Sequence, residues 1–237
     1  MKTNKTTIKA LSLTLIFSGL LGLSSCGIRI KSQGTLNKRI LTLSAPFSEI
    51  ESYGISDIEY TDGDPRIVLY ATAELIDYIK VYNKGEKLIV CYDEDKVNKN
   101  VLLGSESKLV ISYPGVNRFV SLGTSDFEIK YLNGKSYYFE TYGTGDFECG
   151  NIVASSITAE SNGTGDIEIE SAECNTLMVN TNGTGDIEVK GIDAGIVNAA
   201  TTGTGDITLS GVCGSFSTNS SGTGSIDVNK LQEKSTK

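Results

Sequence analysis

The chain has no histidine and no tryptophan, and only 3 prolines among its 237 residues. The missing histidine removes the commonest general base and the commonest transition-metal ligand, which excludes histidine-based triads and zinc sites of the usual kind. Without tryptophan there is no indole platform for a sugar ring. Arginine is scarce: Arg29, Arg39, Arg66 and Arg118 are the whole set. Long apolar runs are absent beyond the start, where Ala10 to Leu21 is largely apolar but shorter than the roughly 20 residues a membrane span needs. No Pro- or Ser-rich linker divides the chain, so one continuous domain is expected over residues 35–237.

What is present at the start is an address. Lys2, Lys5 and Lys9 form a basic opening, the apolar run follows, and then Gly22-Leu23-Ser24-Ser25-Cys26. Small residues before a cysteine resemble the bacterial lipobox, so residues 1–26 read as a lipoprotein signal peptide with lipid attached to Cys26. The competing reading of Cys26 is a buried or bridging thiol. Residues 27–34 would be a short tether, and the membrane a partner through that lipid. Removing 1–26 leaves 18 basic against 29 acidic residues, a net charge of −11. That balance disfavours nucleic acid and anionic headgroups as ligands.

The dominant feature is a repeat. Aligned on its first glycine it places Gly123, Gly143, Gly163, Gly183, Gly203 and Gly222 at spacings of 20, 20, 20, 20 and 19. The Gly-Thr-Gly-Asp core departs only at the ends, with Ser125 in the first copy and Ser225 in the last. A fixed period with degenerate end copies marks a stacked array. Apolar residues alternate at period two, which argues strand: Phe127/Ile129, Phe147/Cys149, Ile167/Ile169, Ile187/Val189, Ile207/Leu209 and Ile226/Val228 point inward. A second inward set is Tyr137/Phe139, Ile157/Ala159, Leu177/Val179 and Val197/Ala199. Between them runs a column of Leu132, Ile152, Ala172, Ile192 and Val212, followed by Gly134, Ala154, Cys174, Ala194 and Gly214. Twenty residues with three short strand-like segments suit one turn of a parallel β-helix, a β-solenoid whose turns are about 4.8 Å apart. The regular repeats span 121–228. The Gly-Thr-Gly corner is expected to recur because glycine accepts dihedrals that other residues avoid.

Upstream the pattern loosens. "SYGISDIEY" at Ser52 to Tyr60 matches "SLGTSDFEI" at Ser121 to Ile129, which predicts an earlier, divergent coil. "RIVLYA", "KLIVCY" and "KLVISY" read as strands, "AELIDYIKV" as containing one helical turn, and "DEDKVNKN" from Asp93 as a solvated loop. The polar tail from Asn229 is expected to fray or to cap the open end.

With "FSEIESYGISDIEY", "KLVISYPGVNRFVSLGTSDFEI" and the Gly-Thr-Gly-Asp-Ile coils in view, the chain resembles the auto-transporter adhesin family with the head GIN domain, common among lipoproteins of Bacteroidetes-type bacteria. The resemblance implies an all-β, right-handed parallel β-helix and an adhesive role, and supplies no catalytic residues. It implies an envelope location, as an outer membrane lipoprotein. The residues after Cys26, "GIRIKSQG", lack the early acidic run of surface-exported lipoproteins in such bacteria, which favours a periplasm-facing anchor. No membrane-translocating barrel of a true auto-transporter is expected in this sequence.

Several columns are candidate sites. Asp126, Asp146, Asp166, Asp186 and Asp206 follow the corner; an aspartate there more often accepts hydrogen bonds from nearby amides. The alternative is calcium at Asp146, Asp166 and Asp186, as in solenoids of shorter period. Glu128, Glu148, Glu168 and Glu188 stack outward, where like charges repel; screening with Lys130 and Lys190 nearby is one account, a divalent cation or basic ligand the other. All 11 tyrosines lie between Tyr53 and Tyr142, and Tyr138 and Tyr142 fall at outward positions as candidate contacts, against scattered surface tyrosines as the plain reading. Cys149 and Cys174 read as buried, and Cys213, aligned with Glu173 and Asp193, as outward; no disulfide is expected.

The acids occur as copies, not as one constellation, so the expected function is binding or spacing by a rod without catalysis or cofactor. A glycan or an envelope or host protein is the expected partner. Two alternatives stay open. An enzyme acting on polysaccharide would need one irregular coil with a compact cluster of acids and arginine. A scaffold would assemble through its solenoid ends.

Overall fold

A computed structural model describes residues 36–54, 56–73, 75–93 and 107–234. The signal peptide, Cys26, the tether and, beyond Asp93, the loop expected after it lie outside the described residues. The strands are β1 (Asn37–Leu41), β2 (Glu49–Ser52), β3 (Asp57–Thr61), β4 (Arg66–Ala71), β5 (Ile79–Lys84), β6 (Lys87–Tyr92), β7 (Ser107–Ser112), β8 (Arg118–Ser121), β9 (Phe127–Asn133) and β10 (Ser136–Thr141). They continue as β11 (Phe147–Ser161), β12 (Ile167–Thr181), β13 (Ile187–Thr201), β14 (Ile207–Ser220) and β15 (Ile226–Glu233). All fifteen belong to one hydrogen-bonded sheet wound into parallel coils, a β-solenoid, as the period of twenty predicts. Among the described residues no helix is long and apolar enough to cross a membrane.

Two ladders run along the stack. On the first face β7, β3, β9 and the opening halves of β11 to β14 pair in parallel, ending at β15. On the second face β6, β2, β8, β10 and the closing halves of β11 to β14 do the same. "SYGISDIEY" is thus a coil of the stack, with Ser52 opposite Ser121 and Ile58 opposite Phe127. At the amino end the chain turns back on itself: β4 lies antiparallel on β7, β1 antiparallel on β4, and β5 antiparallel on β6. The three upstream strands form as expected. At the expected helical turn the Thr72 carbonyl accepts from the amides of Leu75 and Ile76, three and four residues on, a single turn that does not extend into a helix.

The inward columns are buried as predicted, from Phe127 and Ile129 through Ile207 and Leu209, and from Tyr137 and Phe139 through Val197 and Ala199. The core grades from aromatic to aliphatic. Tyr60 meets Phe119 at 5.0 Å between ring centroids, Phe119 stacks on Phe139 at 5.6 Å and Phe127 on Phe147 at 4.7 Å. Beyond Phe147 the same columns are filled by Ile157, Ile167, Leu177 and Val197.

Two expectations are corrected, and a third is narrowed. The corner glycines do not recur for their dihedrals: among the described residues, positive φ at glycine occurs only at Gly85, Gly115, Gly191 and Gly211. They recur because successive corners stack backbone on backbone. A Cβ at Gly143 would stand 1.9 Å from the Gly123 carbonyl oxygen, at Gly163 2.2 Å from that of Gly143, and at Gly183 2.0 Å from that of Gly163. Cys213 faces the core and is fully buried, paired with Ala194. The residue missing from that 19-residue coil is dropped before Gly211, at an irregularity where Gly211 comes opposite Ile192, so Val212 moves out opposite Asp193 and Cys213 moves in. Of the two expectations for the tail, fraying is not met and capping is met on the first face: β15 runs to Glu233, and Leu231 is buried opposite Gly211.

A buried hydroxyl column, not anticipated from the sequence, braces each corner. Ser121, Thr141, Ser161, Thr181 and Thr201 are fully buried, and each donates to the carbonyl four residues on: Ser125, Gly145, Gly165, Gly185 and Gly205, at 2.9 to 3.1 Å. The signal was present as Ser or Thr two residues before every Gly-Thr-Gly. The bond satisfies a carbonyl that the turn would otherwise leave buried without a partner.

Candidate functional site

The corner places the aspartates so that each holds the next. Asp126 Oδ1 accepts the Asp146 amide at 2.9 Å, Asp146 that of Asp166 at 2.8 Å, Asp166 that of Asp186 at 2.7 Å, and Asp186 that of Asp206 at 2.7 Å. Asp206 closes the series on the Ser225 amide and hydroxyl, at 2.7 and 2.9 Å. Those bonds from Ser225 hold the Asp206 carboxyl below its ordinary pKa. One oxygen of each calcium candidate, Asp146, Asp166 and Asp186, is therefore occupied by main chain. Among the described residues no group of three or more acidic, cysteine or histidine side chains is arranged to hold a metal.

Two residues further on the glutamates form an outward ladder. Glu128, Glu148, Glu168 and Glu188 sit directly opposite one another, and Glu59 of β3 extends the column by one coil. Cations gather at its ends. Lys108 meets Glu59 at 2.7 Å and Glu128 at 3.8 Å; Lys130 reaches Glu59 at 3.7 Å and Glu128 at 3.4 Å. Lys190 lies 3.2 Å from Glu188 and 3.4 Å from Glu170. The hydrogen bond from Lys108 draws the Glu59 carboxyl below its usual pKa. Between the two groups of lysines, a shallow depression of about 270 Å³ is lined by Glu128, Glu148, Glu168 and Glu170.

The second face carries what the sequence reading did not assemble. Register aligns Lys87, Glu49, Arg118 and Tyr138 in one outward column, and Glu51, Val120 and Glu140 in the next. Arg118 grips Glu140 with two parallel contacts, at 2.6 and 2.7 Å, and reaches Glu49 through Nε at 3.1 Å. Lys87 bridges Glu49, at 3.1 Å, and Glu51. This is the compact group of acids and arginine that an enzyme reading requires, and every charge in it faces an opposite one. The pairs were hidden because Glu49, Lys87, Arg118 and Glu140 are remote in sequence and meet only through the insertion of β2 between β6 and β8.

Around this group stand exposed tyrosines. Tyr138 and Tyr142 are 39% and 51% exposed, as predicted for outward positions, and Tyr53 is 52% exposed. The Arg118 guanidinium lies 6.0 Å from the centre of the Tyr138 ring. Tyr142 donates to Glu140 at 3.3 Å and Tyr53 to Glu51 at 3.1 Å. The tyrosine hydroxyls and the guanidinium thus share fixed carboxylates, and the ring positions are set by the sheet beneath. Further along, beyond Glu160, the same face is uncharged and polar: Asn182 donates to Asn162 at 2.9 Å and Thr202 to Asn182 at 2.6 Å. Cys149, Cys174 and Cys213 are free thiols. Burial pushes the Cys174 thiol up to about 11, so it stays protonated and inert.

The chain matches the family described as "Putative auto-transporter adhesin, head GIN domain" over residues 46–229. Its fold is similar to the crystal structure of a putative adhesin from Bacteroides fragilis NCTC 9343, at a TM-score of 0.66 and 22% identity over 84% of this chain and 97% of that one. It is also similar to a putative lipid binding protein from Parabacteroides distasonis ATCC 8503, at a TM-score of 0.56 and 17% identity over 85% of this chain and 98% of that one. At these identities the likeness is one of fold. No curated protein matches the chain.

Proposed function

Because this chain belongs to the auto-transporter adhesin family with the head GIN domain, we propose that it is a binding rod of the bacterial cell envelope, without catalysis or cofactor, held to the outer membrane by lipid on Cys26. In this reading residues 1–26 are removed, 27–34 are the tether, and 35–237 form one solenoid domain whose outward columns meet a glycan. The observation that carries it is the pair Tyr138 and Tyr142, exposed on a rigid sheet face beside the fixed Arg118–Glu140 ion pair. Aromatic faces suit the CH faces of a sugar, and the outer edge of the Arg118 guanidinium suits its hydroxyls. Side chains already ordered by packing and hydrogen bonds lose little entropy on binding. The printed names of the two similar structures, an adhesin and a lipid binding protein, speak of binding for those proteins.

The enzyme alternative rests on the same cluster. Glu140 gives both oxygens to Arg118, and Glu49 Oε1 is shared between Arg118 and Lys87, which ill suits a carboxyl meant to donate a proton to a leaving group. The glutamate column Glu128, Glu148, Glu168 and Glu188 remains a second outward array.

The test takes the full chain expressed with its leader and labelled with an alkyne fatty acid, then extracted in detergent and applied to a glycan array. Label is expected on the wild type and absent from Cys26→Ser; label on both overturns the anchor. Glycan binding should be lost in the Tyr138→Ala, Tyr142→Ala double variant at an unchanged unfolding midpoint. Binding that survives the double variant, or capture of a protein in place of any glycan, overturns the glycan reading, and shortening of the bound glycans overturns the reading without catalysis.

A further inference from the structure

The two ends of the stack are finished differently. At the amino end the outermost strands are β1 and β5, and both carry basic residues: Lys38 and Arg39 on β1, Lys80 and Lys84 on β5. Charged residues on an edge strand deter pairing with another chain. At the carboxyl end β14 pairs with β13 along its length but with β15 only up to Cys213, which among the described residues leaves Gly214 to Ser220 with an open edge. That stretch, "GSFSTNS", has no charge and no proline. Phe216 within it is only partly buried, as are Ile226 and Val228 on β15, whose outer edge is also open. Among the described residues, the inward columns therefore end on apolar side chains that no further coil covers.

We propose that this end is the contact of a twofold dimer, in which two copies of the chain stack carboxyl end to carboxyl end. A twofold axis perpendicular to the rod and passing through both faces turns each end strand onto its own copy in the antiparallel sense. Residues 214–220 then pair with 214–220 on the second face, and β15 with β15 on the first. Both open edges are satisfied by one operation, and Phe216, Ile226 and Val228 close over their counterparts. Head-to-tail stacking meets the lysine- and arginine-bearing strands of the amino end instead.

The charges fit a self-complementary contact. From residue 214 to 234 the chain carries Asp227 and Glu233 against Lys230 and Lys234, a neutral end on a chain of net charge −8. Asp227 and Lys230 share one edge strand, so an antiparallel copy brings unlike charges together. An end face of roughly 26 Å along the strands by 20 Å across the two sheets covers on the order of 500 Å². That is below the roughly 800 Å² per partner of a standard interface, so a weak, micromolar dimer is expected. The proposal goes beyond the envelope-binding reading and does not depend on it.

Ser217 lies at the middle of 214–220, where the axis brings its Cβ within about 5 Å of its copy. In the full chain, Ser217→Cys should give a dimer with a short bismaleimide, whereas Met178→Cys, two coils back in the same outward column, should not. By sedimentation in detergent the wild type should dimerise with concentration, and Ser217→Lys, which sets like charges across the axis, should weaken the dimer about tenfold or more with an unchanged circular dichroism spectrum. A wild type that stays monomeric at high micromolar concentration, equal cross-linking at residue 178, or a dimer indifferent to Ser217→Lys overturns the proposal.

Discussion

From Phe127 onward the solenoid repeats one solution; before it, the same coil is built from different residues each time. In the regular stack a corner is flanked by copies of itself, and its residues are dictated by those copies. The glycine at 163 is demanded by the Gly143 carbonyl, and Gly183 by Gly163. The earliest corner is the exception that explains the rest. Gly54 occupies the same column, stacked under Gly123, yet a Cβ there would meet nothing nearer than 3.9 Å, with Cys91 at 4.0 Å on the far side. The corner turn itself tolerates a side chain, and the repeat is a property of stacking.

That comparison can be broken by substitution. Gly163→Ala drives a Cβ to within 2.2 Å of main chain that cannot move without its whole ladder, and is expected to cost more than about 4 kcal/mol. Gly54→Ala should stay within about 0.5 kcal/mol of wild type. Urea unfolding of both, at equal m-value, decides the point: similar losses would mean that dihedral preference, not collision, selects the glycines. The hydroxyl column gives the next effect in size. Thr181→Val removes the donor to Gly185 and leaves a buried carbonyl unpaired, at a cost of about 1–3 kcal/mol. Thr181→Ser should restore stability, since Ser161 fills the same position one coil earlier; a variant series in which serine is no better than valine would assign the loss to packing.

Much of this was legible in the sequence, and the parts that were not share a cause. Period-two alternation placed Ile167, Ile169, Leu177 and Val179 inward because each side chain's direction follows from its own strand. The coil at Ser52 was legible because its residues resemble a later copy. Cys213 was misplaced because counting from either end of a 19-residue coil fits the spacing equally well, and only the pairing of Gly211 with Ile192 shows where the residue is missing. The Glu49, Lys87, Arg118 and Glu140 group was invisible because it depends on which upstream strand lies beside which. Nothing in "RIVLYA" says that β4 runs antiparallel on β7. The glycine column was seen correctly and explained wrongly, since a residue type reports a constraint without naming the neighbour that imposes it.

The smallest effects lie in the aspartates at the two ends of one column. Asp206 is exposed, and the Ser225 amide and hydroxyl hold its pKa below the ordinary value. Its ionised form is therefore favoured by folding: it contributes stability above the unfolded pKa, and that contribution is lost as pH falls through the folded one. Asp57, in the irregular half, is shifted the other way. Burial raises its pKa first, and the neighbouring Asp126 adds to it, against a bond from the Asp126 main chain. Its ionised form is disfavoured by folding, so it costs stability at neutral pH, and acidification relieves that cost. Asparagine keeps the acceptor oxygen in each place and removes the charge. Asp206→Asn should thus destabilise at pH 7 and become neutral on acidification below the carboxylate range, while Asp57→Asn should be neutral or stabilising at pH 7 and lose that advantage in acid. Two denaturation series against pH that cross in this way would show that the regular corner holds its aspartate as an anion and the irregular one bears it at a cost. Parallel series would reduce the two aspartates to the same solvated turn residue.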